Sequence, residues 1–124
     1  MAVLDLSKTE EEFEGGYDAA IKHYIHGKEG GLVLDVTGFP DNVIYKGHGI
    51  INDGTAEAPI YKPQPVDGSA FAKLVGVVRS NTKKSKPSTG MMTQGTINSN
   101  ATKYPFNANS ISALLVLGIH NQVD

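Results

Sequence analysis

The chain of 124 residues has no cysteine and no tryptophan. Without thiols, disulfide staples, thiolate zinc sites, iron–sulfur clusters and cysteine nucleophiles are excluded, and redox chemistry gives no information about the compartment. Charge is sparse, at 19% of residues with a net of −2. Long apolar runs are missing too, since none approaches the roughly 18 residues of a membrane span. The opening MAVLDLSKTEEEFEGG puts acids where a signal peptide would have a basic head and an apolar stretch. The chain therefore reads as soluble and unexported, with no membrane partner. Its length suits one domain with one shared core and rules out a two-domain enzyme. A hydrophobic content of 40% is too high for disorder by composition.

What is abundant is glycine, 14 residues against an average usage of about 7%. With six prolines, this points to many turns and short strands and away from a helix bundle. Charge is also unevenly placed. Residues 1–18 hold Asp5, Glu10, Glu11, Glu12, Glu14 and Asp18 against Lys8, a net −5, which leaves +3 on the remainder. In this first segment Ser7 with Glu10 and Thr9 with Glu12 fit a helix capping box, yet Gly15-Gly16 follows at once. A second short helix is expected over Tyr17–Ile25, with Ala20, Ile21, Tyr24 and Ile25 on one side and Gly27 as its stop. Residues 1–31 are thus read as a partly helical N-terminal arm that orders by docking, and residues 32–124 as the folded domain.

From Leu32 onward, short β-type runs alternate with turn residues: LVLDV (32–36), NVIY (42–45), GIIND (49–53), APIYK (58–62), KLVGVV (73–78) and MMTQGTIN (91–98). The connections are too short for helical crossovers, so the expected fold is mainly β, a small antiparallel barrel or sandwich. One short helix closes the chain. Asn107 or Asn109 is its cap, Ile111, Leu114 and Leu115 fall at helical spacing, and Gly118 is its stop. It is expected to plug one end of the barrel.

No catalytic constellation emerges. His23 and His26 lie three apart, but His48, His120 and the scattered carboxylates offer no spacing that completes a metal site. Of Asp35, Asp41, Asp53 and Asp67, three sit beside or within glycine or proline turns, where aspartate serves turn geometry. The serines form no nucleophile elbow. Gly47-His48-Gly49 reads as a tight turn, since no dinucleotide or phosphate fingerprint follows it. No cofactor is implied. The one charge cluster is Arg79, Lys83, Lys84 and Lys86 on a polar loop. It has no interleaved aromatics, which speaks for solvent or an acidic protein surface and against nucleic acid.

From Gly31 to the end, the pattern resembles the small head decoration, or auxiliary capsid, proteins of tailed bacteriophages. The resemblance rests on GLVLDVTGFPDNVIYKGHGIIND, on the proline-bracketed KPQPVDG and on KLVGVVRSN with its buried glycine. It is completed by GMMTQGTINSNATKYPFNANSISALLVLGI, a glycine-bounded strand, a Tyr104-Pro105 crossing and a closing helix. It covers about three quarters of the chain and leaves the arm outside. Such a resemblance implies a non-enzymatic structural protein, commonly a homotrimer, made in the host bacterial cytoplasm. It would sit on the outer surface of the virion capsid and clamp neighbouring copies of the major capsid protein. Candidate capsid contacts are Glu10, Glu11, Glu12 and Phe13 of the acidic arm and Arg79, Lys83, Lys84 and Lys86 of the basic loop. The alternative is a carbohydrate- or host-surface-binding β module of a head fibre, with Tyr45, Tyr61 and Tyr104 as its aromatics. A small hydrolase built on scattered carboxylates is the weakest reading.

Overall fold

Three adjacent apolar pairs, Ile50-Ile51, Val77-Val78 and Met91-Met92, set the architecture. Successive side chains of a strand point to opposite faces, so a strand carrying such a pair must be covered on both sides. The computed structural model describes residues 20–28 and 31–122, and it shows this division. Ile50, Val78 and Met91 join Leu32, Leu34, Phe39 and Ile44 in one buried cluster. Ile51, Val77 and Met92 join Leu74, Ile97, Leu114 and Ile119 in another. The two cores lie on opposite faces of one sheet.

That sheet is built from β1 (Ile21–Gly27), β4 (Gly49–Asn52), β5 (Tyr61–Pro63), β6 (Leu74–Val78) and β9 (Met91–Ile97), in the order β1-β9-β6-β4-β5. These neighbours are antiparallel. A last strand, β10 (Ile119–Asn121), runs parallel to β9, pairing Ile119 with Gly95 and Asn121 with Ile97. Two small ribbons accompany the sheet: β2 (Leu32–Val33) with β8 (Ser88–Thr89), and β3 (Val43–Ile44) with β7 (Thr82–Lys83). Leu32 and Ile44 bring these ribbons onto the first cluster. The helix α1 (Ala108–Leu117) covers the second through Leu114.

Helix α1 starts and stops where the sequence places its signals. The Asn107 side chain accepts from the Ser110 amide at 2.8 Å. Gly118 adopts φ 103°, a left-handed conformation that an L side chain resists, and its amide returns to the carbonyls of Leu114 and Leu115. This reversal feeds the chain directly into β10.

Three expectations are corrected. Of the helix expected over Tyr17–Ile25, the described residues 21–25 instead lie in the strand β1, whose Ile21, His23, Tyr24 and His26 pair with Ile97, Thr96, Gly95 and Gln94. A helix of nine residues is marginal by itself, and the β-branched and aromatic Ile21, Tyr24 and Ile25 are favoured where a partner strand is available. Within residues 1–31, β1 therefore belongs to the main sheet. Residues 1–19, with the capping-box candidates, lie outside the described residues. The sheet also stays open: among the described residues no closed barrel forms. The physical reason is the pairwise apolar pattern, which demands two covered faces where a barrel has one interior. For the same reason α1 lies on a sheet face and does not plug an end.

Candidate functional site

A groove of about 560 Å³ opens between the turn at 35–40, strands β4 and β5, and the turn at 65–70. Its floor is apolar, with Ile51, Pro63 and Val66, and it carries the carboxylates of Asp35, Asp53 and Asp67. Each carboxylate is already engaged. Asp35 Oδ1 accepts from the Thr37 hydroxyl at 2.8 Å and the Thr37 amide at 3.2 Å. Asp53 lies between Lys73 at 2.7 Å and Lys62 at 3.1 Å. Asp67 Oδ1 accepts from the Ser69 amide at 2.9 Å.

These donors stabilise the ionised form and hold all three carboxyls below their ordinary pKa: the Thr37 hydroxyl for Asp35, Lys73 and then Lys62 for Asp53, and the Ser69 amide for Asp67. A general acid working at neutral pH needs the opposite shift. The groove therefore offers shape and negative charge and no proton donor among these acids. Asp67 serves turn geometry, as its position beside Gly68 suggested, and Asp35, which the sequence placed in the run LVLDV, does so too through Thr37. Asp53 instead ties two lysines together across β4, β5 and the short turn at 71–73.

Two further polar groupings hold the fold around this groove. Asp41 accepts from the Tyr104 hydroxyl at 2.6 Å and pairs with Lys103 at 3.2 Å, and the Tyr104 bond is the larger cause of its lowered pKa. Lys103 also lies 5.1 Å from the Tyr45 ring centre and 5.6 Å from that of Tyr104. The second grouping is buried. His48 Nε2 donates to the Gln64 carbonyl at 2.7 Å, with the ring edge-on to Phe39 at 5.3 Å and to Tyr104 at 6.0 Å. The Gln64 amide in turn donates to Ser110 Oγ at 3.0 Å, the Ser69 carbonyl at 3.2 Å and the Gly68 carbonyl at 3.3 Å. Burial pushes the His48 pKa down, opposed by the Gln64 bond and the charge of Asp41. This knot joins β4, the proline-bracketed turn and α1. Sequence reasoning missed it, because its members are separated by up to 46 positions and share no periodicity. The one available signal was a glutamine held between Pro63 and Pro65.

The residues singled out from the sequence fall into distinct places. Glu10, Glu11, Glu12 and Phe13 lie outside the described residues. Arg79 follows β6 directly, with its guanidinium 4.2 Å from the Tyr24 ring centre. Lys83 lies in β7, opposite Val43. Lys84 Nζ donates to the Phe39 carbonyl at 2.6 Å, and Lys86 is exposed on the way to β8. The basic loop is therefore partly built into the fold, through Arg79, β7 and Lys84. His23 and His26 are exposed on β1, and His120 on β10. Among the described residues, no three His, Asp or Glu side chains gather as a metal site. The tyrosines considered as sugar platforms are half-buried. Tyr104 is bonded to Asp41, Tyr45 lies under Lys103, and Lys28 stands 5.8 Å over Tyr61.

The most unusual surface belongs to α1. Its ten residues, ANSISALLVL, include no charge. Leu114 is buried, whereas Leu115 is 54% and Val116 88% exposed. A surface helix ordinarily turns polar side chains outward. This one, beside exposed Asn109 and Ser112, presents an apolar ridge of Leu115 and Val116, and contiguous apolar patches are frequent at protein-binding faces. Among the described residues no helix is long and apolar enough to cross a membrane. No protein-family model, no curated protein and no solved structure matches the chain.

Proposed function

We propose that the chain is a structural, non-enzymatic protein of a phage head, working as a homotrimer on the outer surface of the assembled capsid. There it stabilises contacts between major capsid subunits. The observation that carries this reading is the uncharged ridge of α1, with Leu115 and Val116 facing solvent. An apolar face of this kind is stabilised by covering it with protein, and a closed ring of copies is the common way for a small chain to do so.

A protein that binds the assembled shell and not the free subunit stabilises assembly by mass action, and modest contacts add up when repeated over a closed lattice. The test is cosedimentation with preassembled heads and, separately, with free major capsid subunits. Binding to heads with little binding to free subunits is the expected result. Equal binding to both, or to neither, removes the reading.

A further inference from the structure

Strand β1 carries two histidines on one exposed face, and an irregularity of the strand puts them there. His23 pairs with Thr96 and His26 with Gln94, with a register shift on β1 between Tyr24 and His26. Residues paired across neighbouring strands share a face, and Thr96 and Gln94, two apart on β9, point the same way. The extra residue, Ile25, is taken up between Tyr24 and His26 as in a β-bulge. Histidines three apart, which a regular strand would turn to opposite faces, therefore stand as neighbours about 7 Å apart. Tyr24 between them pairs with Gly95 and turns to the other face, where the Arg79 guanidinium lies 4.2 Å from its ring centre.

The backbone at this pair is held to β9. The His26 carbonyl accepts from Thr93 Oγ1 at 3.3 Å, and the Lys28 amide donates to the Met91 carbonyl at 3.0 Å. The imidazoles themselves are uncommitted. Both residues are exposed, and among the described residues neither ring has a hydrogen-bond, ion-pair or ring partner. His48 shows the contrast, with its ring buried and bonded to Gln64.

Two free imidazoles at this spacing can lean together onto one ion, each through a metal–nitrogen bond of about 2.0–2.1 Å. Imidazole suits zinc, copper and nickel, whereas magnesium and calcium call for oxygen ligands. We infer that His23 and His26 together chelate one divalent late transition-metal ion of the zinc class on the exposed face of β1, with the remaining coordination positions open to water. His120 faces the same way from the far side of Thr96, two strand spacings or about 10 Å from His23. It stays outside the pair, in keeping with the absence of any three-ligand cluster among the described residues. The inference is independent of any capsid role.

The test titrates ZnCl2 into the tag-free full chain by calorimetry at about pH 7.5, where unperturbed imidazoles are neutral, and follows the histidine ring signals by NMR over the same range. One ion per chain is expected, with the His23 and His26 rings responding together and ahead of His120. His23→Gln and His26→Gln should each lower the affinity about tenfold or more, because either one reduces the chelate to a single ring, while His120→Gln should change it by less than about twofold. Losses below about twofold in both β1 variants, or a loss in His120→Gln as large as theirs, would overturn the inference and leave only adventitious binding to single rings. The ring signals of the unsubstituted chain give a reading that needs no variant: His23 and His26 responding at different zinc concentrations would also overturn it.

Discussion

Replacing Gln64 with leucine removes the centre of the buried knot while nearly preserving volume. The lost amide leaves Ser110 Oγ, fully buried, without its 3.0 Å donor, and leaves the carbonyls of Gly68 and Ser69 without theirs. Losing one net neutral hydrogen bond costs about 1 kcal/mol, and a stranded buried acceptor a further 1–3 kcal/mol or so. The two carbonyl bonds are longer and lie near the turn surface, so most of the loss falls on Ser110. The expected destabilisation is about 2–3 kcal/mol, or roughly 10 °C in Tm for a chain of this size. The assay is urea unfolding followed by circular dichroism, with Ser110→Ala and the double variant measured alongside. Ser110→Ala removes the stranded hydroxyl, so the double variant should cost less than the sum of the singles by at least about 0.5 kcal/mol. A Gln64→Leu protein within about 0.5 kcal/mol of the parent, or strict additivity in the cycle, would refute the reasoning.

Gly76→Ala should destabilise by about 1–3 kcal/mol in the same assay. The new methyl would meet the Met92 carbonyl oxygen and Met91 Cγ at 2.6 Å, and an unchanged midpoint would show that β6 and β9 can separate at no cost. Stability should also fall as the solution is acidified through pH 6.5. His48 in the unfolded chain takes its proton at its ordinary value of 6.5, whereas burial holds the folded residue lower, so the unfolded state binds more protons in that window. The urea midpoint should therefore be flat above pH 7 and drop below 6.5, with a smaller drop in His48→Gln. Deleting residues 1–16 should leave the circular-dichroism β signal intact, because β1 begins at Ile21. Deleting residues 1–31 should abolish or aggregate the fold by stripping β9 of its partner along Met92–Ile97. Equal behaviour of the two truncations would contradict the placement of β1.

The strand positions were legible where local chemistry decides them. The runs at 49–53, 73–78 and 91–98 contain β4, β6 and β9, and Asn107 and Gly118 bound α1 as their side chain and backbone freedom require. What misled was information carried by pairing. Residues 21–27 have an ambiguous pattern locally and become a strand only because the long edge of β9 lies free beside them. The open sheet was written in the apolar pairs at 50–51, 77–78 and 91–92, which a barrel would leave half exposed. Turn chemistry correctly explained Asp67. It could not show that Asp53 binds Lys62 and Lys73, or that Lys84 reaches back to Phe39, because those contacts join segments distant in sequence. The α1 ridge was visible as an uncharged run, but which of its residues face outward depended on where the sheet lies.

The proposal of a capsid decoration protein stands or falls on where the protein sits in an assembled particle. Purified protein added to heads that lack it, imaged by electron cryomicroscopy, should appear as discrete trimers at symmetry-related positions on the outer surface, bridging neighbouring major capsid subunits. Heads with no added density, or density confined to the inside of the shell, would contradict it.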